Sequence, residues 1–149
     1  MNAVTTKWLE ELESGNYTQV TGTLRQGEYG RCCLGVLCDV SEEGSWEDAA
    51  SSASFRDPVM AYKTPRVPDY EDAADFELST GIAAESTFEK TGIPRDHNGH
   101  DVQGMIATLN DSNRYSFKEM AELIRGGVEA IWEAYEENEN FEQTGKETK

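Results

Sequence analysis

The sequence has no long apolar segment. Nowhere in its 149 residues does it hold a run of apolar side chains suited to a membrane, since a spanning helix needs about 20 of them in succession. Residues 1–15 also lack the apolar stretch of a signal peptide. These absences favour a cytoplasmic protein that has no membrane partner.

Cysteine is scarce and is confined to one place. The three cysteines, Cys32, Cys33 and Cys38, fall within a single short stretch. A secreted disulfide framework would distribute an even number of cysteines along the chain. The pattern therefore predicts free thiols in a reducing compartment.

The familiar catalytic motifs are also missing. The chain has no phosphate-binding glycine loop, no HExxH metalloprotease motif and no GxSxG nucleophile elbow. We therefore expect a protein that binds a partner rather than an enzyme, and nothing in the sequence calls for a cofactor.

The sequence contains few basic residues. Thirteen Lys and Arg face 29 Asp and Glu, which gives a formal net charge of −16. Such a field repels nucleic acid and anionic membranes at long range, so direct nucleic-acid binding is not expected. The field attracts basic proteins, although a surface charge that only keeps the protein soluble is the simpler explanation.

The length and the mixture of patterns predict one small α+β domain over residues 1–137, with several helices packed on a short antiparallel sheet. Residues 138–149 are acidic and polar without apolar periodicity, which predicts a flexible C-terminal tail. Ser116 and Glu119 form a capping-box pattern ahead of the final helix. Gly126-Gly127 interrupts that helix and predicts a kink or a close helix approach.

Four further segments carry local signals. Residues 17–25 alternate and are rich in β-branched side chains, which predicts a strand. The nearly continuous apolar run at residues 31–40 favours a short buried helix. Residues 41–54 are small and polar and predict a loop. The three prolines of residues 55–70 favour short extended or edge pieces, because proline cannot donate to a central ladder.

The densest group of cations lies in this proline-containing segment, where basic and aromatic side chains alternate. Basic groups bind phosphate, and aromatic rings stack on bases. Arg25 and Arg31 flank the turn signal at residues 26–28 and could join the group. Each cation could equally pair with a neighbouring carboxylate. The predicted ligand-binding residues are Arg25, Arg31, Arg56, Tyr62, Lys63 and Arg66.

The cysteines and the two histidines, His97 and His100, suggest two weaker hypotheses. Together they offer soft ligands for zinc, but structural zinc sites favour paired spacings such as Cys-x2-Cys, and packing alone commonly buries cysteine. Alternatively, Cys32 or Cys33 could be a nucleophile, with a histidine as its base and Asn98 or Asn110 to orient that base. The spacing does not show that these groups converge, so core packing is the preferred interpretation of the cysteines.

Three stretches together carry a family resemblance. They are WLEELESGNYTQVTGTL at residues 8–24, CCLGVLCDV at residues 32–40 and LNDSNRYSFKEMAELI at residues 109–124. With these motifs the chain resembles a group of small accessory proteins encoded by tailed bacteriophages. The resemblance covers both ends of the chain, whereas residues 45–100 do not show it and the extension past Gly126 is particular to this protein.

The resemblance implies an accessory phage protein that acts in the cytoplasm of an infected bacterium. Some phage proteins of this size are sponges that sequester the cyclic nucleotide signals of bacterial immunity, for example signals of the CBASS type. The leading expectation is an immune-evasion protein that binds a cyclic (oligo)nucleotide without cleaving it, as a homo-oligomer. Two alternatives remain: an acidic DNA mimic that binds a basic host defence or transcription protein, and a cysteine-dependent enzyme.

Overall fold

The computed structural model describes residues 1–48, 59–63 and 85–144. Within these residues, six helices and seven strands form one small α+β domain, as the sequence predicts. The helices are α1 (Ala3–Glu13), α2 (Cys33–Ser41), α3 (Glu85–Glu89), α4 (Val102–Asp111), α5 (Phe117–Arg125) and α6 (Val128–Thr144). The strands are β1 (Thr18–Gln19), β2 (Arg25–Gln26), β3 (Gly30–Arg31), β4 (Ser45–Asp48), β5 (Val59–Lys63), β6 (Asp96–His97) and β7 (His100–Asp101). No helix in these ranges is both long and apolar enough to span a membrane.

The main sheet is mixed rather than purely antiparallel. Its strand order is β1-β3-β2-β5-β4, and β1 pairs parallel with β3 while the other neighbours are antiparallel. Strands β6 and β7 form a separate hairpin. Asn98 and Gly99 turn this hairpin with φ angles of 52° and 80°, as expected of a type I′ turn.

The structure corrects three predictions for the strands. The strand expected over residues 17–25 is broken, because Gly22 turns the chain with a φ of 79° between β1 and β2. The loop expected at residues 41–54 contains β4, where Trp46 lies opposite Tyr62 with ring centroids 4.9 Å apart. Strand β5 is a short extended piece, as expected, but it lies between β2 and β4 rather than at an edge, and its own five residues contain no proline.

The core brings together helices from both ends of the chain. Trp8 of α1 is fully buried, and its indole Nε1 donates a hydrogen bond of 2.9 Å to the carbonyl of Cys33. The predicted buried helix at residues 31–40 is confirmed as α2, in which every residue from Cys33 to Cys38 is buried. The first stretch of the family pattern therefore packs directly on the second.

The structure of the C-terminal helices matches the prediction from the sequence at the start of α5 and differs from it toward the end of the chain. The capping box is confirmed, since Ser116 Oγ accepts from the Glu119 amide and Glu119 Oε1 accepts from the Ser116 amide. Gly127, with a φ of 96°, separates α5 from α6 completely. Helix α6 then continues to Thr144, so it includes residues 138–144 of the segment expected to be a flexible tail. The reason is tertiary, because Asn138 is buried against the rest of the domain.

Candidate functional site

The predicted ligand-binding residues of the proline-containing segment are only partly described. Arg56 and Arg66 lie outside the described residues, and Lys63 ends β5 opposite Ser45. Tyr62 is only 2% exposed. Its hydroxyl accepts a hydrogen bond of 2.7 Å from the Gly44 amide. A ring enclosed in this way cannot stack on a nucleotide base, so Tyr62 has a structural role.

Arg31 is the clearest departure from the predicted site. It is 6% exposed, and its Nε donates to Asp39 Oδ2 at 2.9 Å. Asp39 also accepts 2.7 Å from Trp46 Nε1. Burial, the charge of Asp39 and a hydrogen bond to it raise the pKa of Tyr17 to about 12. The Arg31 charge is therefore used inside the protein, because Asp39 neutralises it.

Arg25 belongs to the same internal cluster. It lies directly opposite Arg31 in the sheet, and both guanidinium groups lie 5.4 Å from the ring of Trp46. Like charges at opposed sheet positions repel, and Asp39 together with the shared aromatic face offsets that repulsion. Arg25 Nε also donates to the carbonyl of Gly27 at 2.8 Å. The described part of the predicted site thus holds the sheet against α2.

The cysteines and histidines do not form a site in the described part of the chain. Burial raises the pKa of the Cys32 thiol to about 12, and it raises the pKa of Cys33 well above the usual range. The two histidines instead contact α6, where their rings lie 5.8 and 5.1 Å from Trp132. Within the described ranges, no cluster of three His, Cys, Asp or Glu side chains is placed to hold a metal ion.

The buried thiols lead to a reactivity prediction. All three cysteines are free and buried, and a rise of about three pKa units for Cys32 lowers its thiolate fraction roughly a thousandfold at pH 8. We expect iodoacetamide at pH 8 to leave the native protein unmodified for hours and to label all three thiols in urea. Mass spectrometry measures the adducts, and rapid labelling of the native protein would show that a thiol is accessible.

The three motif stretches meet at Asn110, the middle residue of the Leu-Asn-Asp segment on α4. This side chain is 1% exposed. Its Oδ1 accepts from Gln19 Nε2 at 2.9 Å and from the Cys33 amide at 3.1 Å. Its Nδ2 donates to the Val20 carbonyl at 2.9 Å. The motif therefore ties α4 to the β1 segment and to the start of α2, which is a structural role.

Beside this junction is a polar cleft of about 360 Å³. The β1 segment forms one wall, and the loop from α4 into α5 forms the other. The lining residues are Gln19, Thr21, Asn113, Arg114, Tyr115, Ser116 and Glu119.

Arg114 is the positively charged residue that lines the cleft, and uncharged side chains contact its guanidinium. Its Nη1 donates to Asn138 Oδ1 at 3.1 Å. Its guanidinium lies 4.2 Å from the ring centroid of Phe141 and 5.8 Å from that of Tyr115. Within the part of the chain that the structure describes, no carboxylate forms an ion pair with it.

The other N–H donors of the Arg114 guanidinium determine which class of ligand the cleft can bind. A guanidinium has five N–H donors, and in the described residues only the one to Asn138 meets a protein acceptor. The nearby carboxylate of Glu119 is occupied by the Ser116 amide at 2.9 Å. The arrangement can therefore offer a positive, forked donor to an anion, although the molecule as a whole is acidic.

Comparison with known proteins gives one match. The family described as Domain of unknown function (DUF8296) matches residues 1–127. The chain belongs to this DUF8296 family. No curated protein and no solved structure matches the chain.

The DUF8296 match includes the residues that line the cleft but not two residues that contact Arg114. It includes residues 45–100, which the motif resemblance did not cover, and it stops where α6 begins at Val128. Arg114 and the cleft lining lie inside the DUF8296 region. Asn138 and Phe141, which hold Arg114, lie outside it.

Proposed function

We propose that this protein binds and sequesters a small anionic nucleotide signal without cleaving it, and that Arg114 in the cleft takes the anionic group. The observation that carries the proposal is the uncompensated charge of Arg114. In a chain of net charge −16, a half-buried arginine that no described carboxylate neutralises is the feature best suited to an anion. Together with the phage resemblance, it favours an immune-evasion role in the infected bacterial cytoplasm.

The chemistry of the cleft supports this class of ligand. A guanidinium binds phosphate through two parallel hydrogen bonds, and among the described residues Asn138 is the one acceptor that Arg114 meets. The cleft volume of about 360 Å³ falls in the range of small-molecule sites, about 300 to 1,000 Å³. Gln19, Thr21 and Asn113 add polar groups around it.

The same lining supports binding without turnover. The lining residues include no histidine or cysteine, and the Glu119 carboxylate is hydrogen-bonded into the cap of α5. A general base must be free to reach the proton that it removes. The cleft therefore offers a cation and hydrogen bonds but no group ready to activate a nucleophile.

Calorimetry against a panel of cyclic di- and trinucleotides tests the proposal. We expect one member to bind and to be recovered intact, and Arg114→Gln to weaken it at least about tenfold, because a hydrogen bond to a charged group contributes about 1.5–3 kcal/mol. The matched control is Arg125→Gln, which removes the same charge from an exposed arginine paired with Glu13. Absence of heat for every member of the panel would remove the nucleotide function.

The solution mass with and without the bound nucleotide tests the homo-oligomer separately. A ligand shared between subunits would raise the mass on binding. A constant monomer mass would place the whole site in one chain.

A second candidate function is that of an acidic DNA mimic, and a row of exposed carboxylates on α6 favours it. Glu129, Glu133 and Glu137 are exposed on this helix, and their four-residue spacing places them about 6 Å apart along its axis. Such a row of carboxylates suits a basic protein partner. Its complex with a host protein would dissociate at high salt and would persist in Arg114→Gln, which separates it from nucleotide binding.

A further inference from the structure

We propose that α6 controls the affinity of the cleft for anions, with Asn138 and Phe141 acting as positioning residues for Arg114. The inference rests on the proposed anion-binding function. It adds that the part of the chain beyond the DUF8296 match completes the site that lies within that match.

The two positioning side chains, Asn138 and Phe141, are neutral. An arginine side chain loses rotamer entropy when it is ordered. Asn138, which is 1% exposed, and the ring of Phe141 order the guanidinium from two sides. Neither carries a charge, so the guanidinium is held in place and keeps its full charge for a ligand. A carboxylate at position 138 would hold it equally well but would neutralise it.

Helix α6 is itself docked firmly enough to serve this role. Ile131 is buried in the core. The ring of His100 lies 5.1 Å from Trp132 and 5.5 Å from Tyr135, so the β6–β7 hairpin also rests on this helix. Because the helix is continuous to Thr144, this anchoring fixes the position of Asn138, which lies one turn beyond Tyr135.

The decisive variant is Asn138→Asp, which keeps the shape of the side chain and adds a carboxylate beside Arg114. With inorganic pyrophosphate as the probe, we expect it to weaken binding at least about tenfold, since the new ion pair competes with the ligand. The matched control is Asn140→Asp, which adds the same charge at an exposed position of the same helix and should change the affinity less than about twofold. Equal effects of the two variants would overturn the role of Asn138.

A second measurement needs no ligand. Relaxation of the Arg114 Nε–H group by ¹⁵N NMR reports its order in the free protein. We expect Phe141→Ala to mobilise it and to weaken pyrophosphate binding about two- to fivefold, the size of an exposed cation–π contact. Phe141→Tyr should restore both. A guanidinium that is equally ordered in Phe141→Ala would overturn the positioning role.

The two proposals fail in different ways. An ordered Arg114 that binds neither pyrophosphate nor any nucleotide would overturn the anion-binding function while leaving the contact with α6 intact. A wild-type protein that binds pyrophosphate through a disordered Arg114 would support the function and overturn the control by α6.

Discussion

Replacing Asn110 with alanine is expected to lower the free energy of unfolding by about 3–4 kcal/mol. The substitution removes the acceptor for the Cys33 amide and the donor to the Val20 carbonyl, both of which are bonded to the Asn110 side chain. It also frees Gln19 Nε2 from its bond to Oδ1. A buried polar group that loses its partner costs about 1–3 kcal/mol. The sum is a large share of the 5–15 kcal/mol that stabilises a typical domain.

Urea unfolding followed by circular dichroism measures this loss. The control is Asn16→Ala, which removes the same type of side chain from an exposed position and should shift stability by less than about 0.5 kcal/mol. If the two variants were equally stable, Asn110 could not be the junction of the three motif stretches.

Gly35→Ala is expected to destabilise the protein by about 3 kcal/mol or more, because there is no room for a methyl group at this position. A Cβ on Gly35 would overlap the Leu24 carbonyl oxygen. That oxygen also accepts from the Cys32 amide at 3.1 Å, so the backbone cannot move aside without losing this bond. Helix propensity alone predicts the opposite sign, a gain of about 1 kcal/mol for alanine over glycine.

The sign of the effect therefore distinguishes close packing from propensity. Thermal and urea unfolding of Gly35→Ala and Gly104→Ala provide the comparison. In α4, the nearest atom to a Cβ on Gly104 is Asp101 Oδ2 at 3.2 Å, at the end of a side chain that can adjust. We expect Gly104→Ala to change stability by less than about 1 kcal/mol. A stabilised Gly35→Ala would show that α2 can move away from Leu24.

These two positions explain why much of the family pattern reports on the fold rather than on the function. Gly35 lets α2 approach Leu24, and Asn110 joins that helix to the β1 segment. Trp8 adds a third connection through the Cys33 carbonyl. These three motif residues are thus explained by the fold, whereas Arg114, which lies within the third stretch, lines the candidate site.

The candidate site shows where prediction from the sequence stopped. The basic segment drew attention because its cations are close together in the chain, yet Arg31 of the same prediction is neutralised by Asp39. Arg114 drew no such attention, because it lies far along the chain from that group of cations. Its partner Asn138 is 24 residues away, in a segment whose lack of apolar periodicity predicted a tail.

The sequence by itself determined the α+β class, the buried helix of the cysteines and the capping box of α5. These depend on hydrophobic periodicity and on hydrogen bonds between residues a few positions apart, which a linear pattern contains. Only the tertiary structure decided which charges are neutralised and which remain available. That outcome depends on contacts between distant segments, and burial then determines whether an arginine serves the fold, as Arg31 does, or faces a cleft, as Arg114 does.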